Sequence, residues 1–408
     1  MGGGFEVELG EQKSYLNLTC PNRYKCVVMA LVEQNFLEVF GTSMAKLMGM
    51  NSELTWPNIL ETLNQKRDLS REQATWSMQQ IMAGSATDEQ MEEFLLTLRS
   101  KGEDVVELSG FVDVMLENAL SIPVSNDAID IVGTGGDQLG TVNISSMAAI
   151  VTAACGYPVL KHGSRSASGK TGSSEMLEAL GIRLDLTPEQ LAKVFKKAGI
   201  TFFFAPMFHP SLKNVGPTRK KLGIPTTFNF LGPLANPAQP LATALGVANE
   251  VMAPLLAAEM ASRGRTALVF RGSDGLDELT TTGKSQIWVV FGGKVQEHSF
   301  NPTDLGITQA SVEQLLGGDA TENAATTRGI FGENIEFKGD RHAIQDIVAL
   351  NASAGMTAYE LNKTSNISEF DLLGSLKKHY LQAQEAINDG TALAKLNQWV
   401  DLSKSAGE

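Results

Sequence analysis

"AIDIVGTGGDQLGTVNISSMAAIVTAACGYPVLKHG", Ala128 to Gly163, is the stretch from which the fold is read. "AIDIV" (128–132) is a compact strand candidate, followed by a glycine-rich loop and then by "SSMAAIVTAAC" (145–155), a helix of small residues that ends at Gly156. "PVLKHG" (158–163) reads as a second strand, "SRSASGKTGSS" (164–174) as a second polar loop, and "EMLEAL" (175–180) as a helix closed by Gly181. Strand, loop, helix, repeated, is the pattern of a parallel sheet. A right-handed crossover places both loops at the same carboxyl edge, where open α/β sheets bind ligands. Further strands are expected at 242–248, 266–272, 286–293 and 294–300, and further helices at 184–198, 250–262, 341–358 and 370–388.

Upstream the texture differs. Residues 52–120 read as short antiparallel helices. Ser70-Arg-Glu-Gln73 and Thr87-Asp-Glu-Gln90 match the capping box, in which a hydroxyl and a Gln satisfy exposed amides reciprocally. Ala74, Met78, Ile81 and Met82 follow the first box near helical spacing, and Met91, Phe94, Leu95 and Leu98 follow the second. Residues 1–49 are expected to form an extension outside the main fold. "YKCVVMALVEQNFLEVF" (24–40) is apolar but broken by Glu33 and Glu38, so it reads as an amphipathic helix and not as a signal peptide.

Bulk properties exclude several classes. A chain of 408 residues with 43% hydrophobic and 19% charged residues is that of a globular protein. The formal charge of −13 argues against a nucleic-acid surface, although local Lys and Arg can still reverse the sign inside one cleft. No apolar run is long enough for a membrane span. Cys20, Cys26 and Cys155 fit no metal spacing, and their odd number fits a reduced, cytoplasmic setting.

The first loop is not a common nucleotide motif. Gly133 and Gly135 match the start of G-x-G-x-x-G, but position 138 is Gln. Gly169-Lys170-Thr171 resembles the end of an ATP loop, but its first glycine would be residue 164, which is Ser. Two readings stay open: turn glycines with capping serines, or a phosphate cradle. In the second, Gly135 and Gly136 expose a nest of amides. Ser145 and Ser146 would sit at a helix start that favours phosphate, and Lys161, Arg165, Lys170, Ser166, Ser168 and Ser173 would add cations and hydroxyls. "GSDGLDEL" (272–279) sets Asp277 beside Glu278. The pair is either a solvated acidic turn or, next to a polyphosphate, a Mg²⁺ site.

"DIVGTGGDQLGTVNIS", "KHGSRSASGKTGSSEMLEALGI", "FAPMFHPSLKNVGPTRKKLGIPTTFNFLGPLANP" and "DGLDEL" together resemble the anthranilate phosphoribosyltransferase family over roughly residues 52–400. The resemblance implies an α/β fold with a small N-terminal helical domain (50–124, with helices near 208–224) and a larger α/β domain (125–404). The latter would hold a central, mostly parallel sheet flanked by helices. It also implies a homodimer assembled through the helical part. The implied reaction moves the phosphoribosyl group of phosphoribosyl pyrophosphate (PRPP) onto the anthranilate amine and releases pyrophosphate, in tryptophan biosynthesis. The implied PRPP site comprises Gly133, Gly136, Asp137, Thr141, Asn143, Ile144, Ser145, Ser146, Lys161, His162, Gly163, Ser164, Arg165, Ser166, Ala167, Ser168, Gly169 and Ser173. Gly133, Ser164 and Arg219 would meet anthranilate, Arg219 through bidentate geometry that Lys lacks. Ser145, Asp277 and Glu278 would meet Mg²⁺. No covalent nucleophile or general base is implied, because the amine is itself a ready nucleophile.

The chain departs from the family at Ser164, where Asn is common; Ser is shorter and offers one hydroxyl, so weaker acceptor binding or a bridging water is expected. Leu212 for Met is a volume-conserving change. A wider kinship to pyrimidine nucleoside phosphorylases leaves a phosphorolytic enzyme as an alternative. Two others are a non-enzymatic, nucleic-acid-binding relative and a transferase with another aromatic amine as acceptor.

Overall fold

The helices of the N-terminal region begin where side chains can cap them. Ser70 starts α2 (Arg71–Ala83), Thr87 starts α3 (Asp88–Lys101) and Asp104 starts α4 (Val105–Glu117), each through a complete capping box. They follow α1 (Trp56–Asn64). The apolar stripes expected of α2 and α3 are buried, and Phe94 meets Phe111 of α4 edge to face at 6.0 Å. The computed structural model describes residues 54–165 and 171–407, with two short strands, Glu8–Leu9 and Gln12–Lys13. The rest of the 1–49 extension, and Ser166, Ala167, Ser168, Gly169 and Lys170, lie outside the described residues. Compact units divide between Asn58 and Ile59, so α2–α4 and the whole sheet share one unit.

The α/β part follows the order β1 (Ile129–Gly133), α5 (Ile144–Ala154), β2 (Val159–Gly163), α6 (Ser173–Ala179), α7 (Pro188–Ala198), β3 (Ile200–Phe204). The helix expected over 184–198 starts only at Pro188, because Thr187 and Gln190 form a capping box there. The short helix α8 (Ala205–Phe208), a 3-10 turn at Pro210–Asn214, α9 (Gly216–Leu222) and α10 (Phe228–Leu234) lead to β4 (Ala242–Gly246). The 3-10 turn and α9 pack against α2 and α3. Then come α11 (Met252–Ser262), β5 (Thr266–Gly272), β6 (Ser285–Phe291) and β7 (Lys294–Phe300). Helices α12 (Ala320–Ile330), α13 (Arg341–Lys363), α14 (Leu372–Asn388) and α15 (Thr391–Ala406) close the chain.

The seven strands lie in the order β3-β2-β1-β4-β5-β6-β7. The first five run parallel, and β6 and β7 join them as an antiparallel hairpin. Buried α13 packs on β1, β4 and β5, while α11 packs on β5 and β6. The strand order reverses between β1 and β4, the topological switch point at which such sheets receive ligands beyond their carboxyl ends. Among the described residues no helix is long and apolar enough to cross a membrane.

Candidate active site

At the switch point the last residues of β1 and β4, Gly133 and Gly246, lie side by side in register. Asp277 rests on both. A β-carbon on Gly246 would overlap the Asp277 carbonyl, and one on Gly133 would overlap its carboxylate. These two glycines are therefore required by space. Gly135 and Gly136 are required by conformation, with φ of 67° and 89°. The Gly135 amide donates to Asp277 Oδ2 at 2.7 Å, so the first loop and the acidic turn meet at one point.

The second strand brings in a cation. Lys161 is buried, yet among the described residues its Nζ donates only to backbone and hydroxyl oxygens: Ile131 O at 2.5 Å and Ser145 Oγ at 3.3 Å. Burial pulls its pKa below that of an ordinary lysine, and Asp130, Glu278 and Asp277 push the other way. Ser145 and buried Ser146 occupy the first turn of α5, and Ile144 packs inward. Ser146 Oγ has no hydrogen-bond partner among the described residues. Thr141 bridges to Leu316. The Asn143 side chain ties the two loops together: its Nδ2 donates to Thr171 O at 3.1 Å and its Oδ1 accepts from Asn323 Nδ2 at 2.8 Å.

Gly163 closes β2, and exposed Ser164 and Arg165 follow it. Ser173 Oγ donates to Ser164 O at 3.3 Å. Arg165 turns aside, 3.3 Å from the Glu178 carboxylate and over the Phe204 ring.

Three carboxylates crowd this rim. Burial raises the Asp277 carboxyl above its ordinary range, and the charge of Asp137 adds to the shift. Burial raises Asp137 too, despite amide and Asp277 hydrogen bonds that favour ionisation. Glu278 stands well above an ordinary Glu, through burial and then through Asp277, against the pull of Lys161. Such crowding resists ionisation of all three, and a divalent cation would favour their charged forms. Among the described residues no set of three His, Cys, Asp or Glu side chains converges as a metal-binding group. A hard cation bound by Asp277 and Glu278 would draw its remaining oxygens from a phosphate ligand, the habit of Mg²⁺.

Arg219 approaches from α9. It is half-buried, its Nη2 donates to Asn229 Oδ1 at 3.3 Å, and its guanidinium lies 5.6 Å from the Phe228 ring centre. Among the described residues no carboxylate pairs with it; burial alone lowers its pKa. The helix that carries Phe228 and Asn229, α10, also reaches back to the sheet, where Gly232 O meets His162 Nδ1 at 3.1 Å. A carbonyl only accepts, so Nδ1 carries the proton. Burial lowers the His162 pKa to about 3, which keeps the ring neutral at pH 7.

Gly232, which orients His162, lies about 70 residues away in the chain, where the sequence alone offers no signal for the pairing. Sequence reasoning also passed over Gly246, Asn229, Asn323 and Asn236. A signal existed for Gly246: "ATALG" ends as "IDIVG" does, with a glycine closing a buried strand.

The chain matches the helical bundle domain of a glycosyl transferase family over residues 57–119 and the a/b domain of that family over residues 125–393. It is 49% identical over 355 residues to the anthranilate phosphoribosyltransferase of Leifsonia xyli subsp. xyli, covering 87% of this chain and 100% of the relative. It is also 49% identical to that of an Arthrobacter species, over 86% of this chain and 96% of the relative. The crystal structure of anthranilate phosphoribosyltransferase from Thermus thermophilus superposes with a TM-score of 0.75 at 34% identity, covering 85% of this chain and 99% of that one. The Saccharomyces cerevisiae enzyme in complex with PRPP and Mg shares the fold, with a TM-score of 0.74 at 24% identity, covering 86% of this chain and 99% of that one.

Proposed function

The chain belongs to the anthranilate phosphoribosyltransferase family, and from this premise we propose how its residues carry the transfer. The observation that carries the reading is the junction of Gly135, Asp277, Ser145 and Lys161 at the switch point. The loop amides at Gly133, Gly136 and Asp137, with Thr141, Asn143, Ser145, Ser146, Lys161 and Ser173, hold the ribose phosphate and pyrophosphate of PRPP. Ser166 to Gly169 complete that grip. Mg²⁺, held by Asp277, Glu278 and Ser145, would neutralise charge on the departing pyrophosphate. Lys161 and the loop amides stabilise the same developing charge in a pre-set arrangement.

Arg219 holds the anthranilate carboxylate, so that the amine faces the ribose carbon between Gly133 and Ser164. A C–N bond forms as the bond from carbon to the pyrophosphate oxygen breaks, and the amine then loses a proton. Positioning supplies much of the rate gain.

The expected division of labour is helical for 50–124, with 208–224 contributing Arg219, and α/β for 125–404. Exposed Leu96 and Val106 on α3 and α4 support association of two chains through the helical region. A charge of −13 and three cysteines support a cytoplasmic setting without nucleic-acid partners.

Loss of anthranilate fluorescence in the presence of PRPP and Mg²⁺ measures the reaction directly. Arg219→Ala is expected to raise the anthranilate KM and leave PRPP binding intact, while Asp277→Ala abolishes the Mg²⁺-dependent rate. Turnover that persists unchanged in both variants contradicts the assignment.

A further inference from the structure

The segment "TTFNFLGPLANP" (226–237) has no assigned part in the reaction, yet it runs from the acceptor side to the base of the donor site. At one end Thr227 Oγ1 donates to Glu103 of the helical region at 2.6 Å. There Asn229 Oδ1 accepts from Thr226 N at 2.9 Å and from Arg219 Nη2. In the middle Gly232 O fixes the His162 ring. At the far end Asn236 is 4% exposed and grips two strands at once. Its Nδ2 donates to Asp130 Oδ2 of β1 at 2.7 Å and to Leu160 O of β2 at 2.8 Å, and its Oδ1 accepts from Ala238 N at 3.0 Å. The other oxygen of Asp130 accepts from His162 N at 3.3 Å.

A buried aspartate with an amide partner is an expensive way to stabilise a core. Apolar residues of similar volume would cost less desolvation, whereas a satisfied polar pair specifies one arrangement. Apolar contacts also hold the segment, with Phe228, Leu231 and Ala235 buried. A cavity lined by Asp130, Pro233, Leu234, Asn236, Thr243 and Glu259 lies behind its C-terminal end, where the Asn236 bonds tie the chain to β1 and β2.

We infer that Asn236 is a positioning residue: paired with Asp130, it anchors the 226–237 strap and so sets Arg219 at a fixed distance from the ribose-binding ends of β1 and β2. Asn236 touches neither substrate and acts through Asn229 and Arg219. The inference rests on the acceptor role proposed for Arg219.

The test is a double-mutant cycle on the full chain, with PRPP affinity in the presence of Mg²⁺ followed by calorimetry. Asn236→Ala is expected to lower kcat/KM for anthranilate about ten- to a hundredfold, the scale of a small misplacement of reactants. PRPP affinity stays unchanged. In an Arg219→Ala background the same change has little further effect, because the element it positions is already gone. Equal losses in both backgrounds, or PRPP affinity falling as far as acceptor efficiency, overturn the inference. If Asn236→Ala does not fold, Asn236→Ser, which keeps a donor for Asp130, carries the same comparison. A wild-type chain with no PRPP-dependent loss of anthranilate would sink the proposed function itself; an active wild type with additive variants sinks only this inference.

Discussion

Lys161 and Arg219 both direct their hydrogen bonds to neutral partners. Lys161 is bonded to a carbonyl and a hydroxyl, and Arg219 to an amide oxygen and a ring face. Taking a charge out of water is costly unless an opposite charge is near. The carboxylates of Asp130, Glu278 and Asp277 offset that cost for Lys161. Arg219 has no carboxylate partner among the described residues and is poised for an anion that comes with a ligand. Ser164 stands between Lys161 and Arg219 in the chain, exposed just past the end of β2, with its carbonyl held by Ser173. A side-chain amide there reaches farther than a hydroxyl and offers both a donor and an acceptor. Ser164→Asn is therefore expected to lower the anthranilate KM by roughly two- to tenfold, the worth of one net hydrogen bond, and to leave the PRPP KM unchanged. Steady-state kinetics with each substrate varied in turn decide it. An unmoved anthranilate KM means that position 164 does not reach the acceptor.

At the scale of elements, the critical contact is that of the acidic turn with the ends of β1 and β4. Gly246→Ala forces a β-carbon into the Asp277 backbone, and neither strand nor turn can yield without moving the Asp277 and Glu278 carboxylates. The expected result is a loss of about 1–3 kcal/mol of stability from overpacking, together with a raised Mg²⁺ requirement for turnover. Thermal unfolding and a Mg²⁺ titration measure the two effects; an unchanged Mg²⁺ requirement contradicts the placement of the metal. What the chain disclosed in advance follows from the same local physics. The β1–α5–β2 unit was legible because glycines and a proline punctuate it, and α2 and α3 because their capping boxes sit just ahead of apolar stripes. Strand β3 ("ITFFF") was not legible. It follows α7 after a single glycine, and a short apolar run alone cannot be told from buried helix. Helix α12 ("ATENAATTRGI") escaped for the opposite reason, its three Thr and one Asn being residues that favour caps and turns over helix interiors. The loops of the site were visible as motifs. The contacts that assemble it were not, since Gly133–Asp277 and His162–Gly232 join residues far apart in the chain.

Across the whole molecule, Arg219 and the donor loops belong to different layers, so catalysis depends on how firmly the helical region is held to the sheet. One ionic cluster lies at that junction. Asp113 of α4 accepts from Arg71 of α2 at 2.5 Å and from Arg263, just past α11, at 2.8 Å. Arg263 also donates to Ser109 O at 2.7 Å and pairs with Glu259. Burial works to raise the Asp113 carboxyl, but the hydrogen bonds from Arg71 and Arg263 outweigh it and hold the group below the ordinary carboxylate range. A pKa depressed by folding stabilises the native state above the unfolded-chain value and loses that contribution as pH falls through the folded value. Asp113→Asn removes the charge and keeps the shape. It is expected to cost about 2 kcal/mol at neutral pH, the scale of charge-assisted hydrogen bonds in a half-buried setting. It should also blunt the loss of stability on acidification below about pH 4, where the wild-type carboxylate takes up its proton. Denaturation followed from pH 7 down to pH 3 in both proteins checks each part. Parallel curves, offset by a constant amount, would show that Asp113 contributes packing and no linked charge, and that the junction is held by apolar contact.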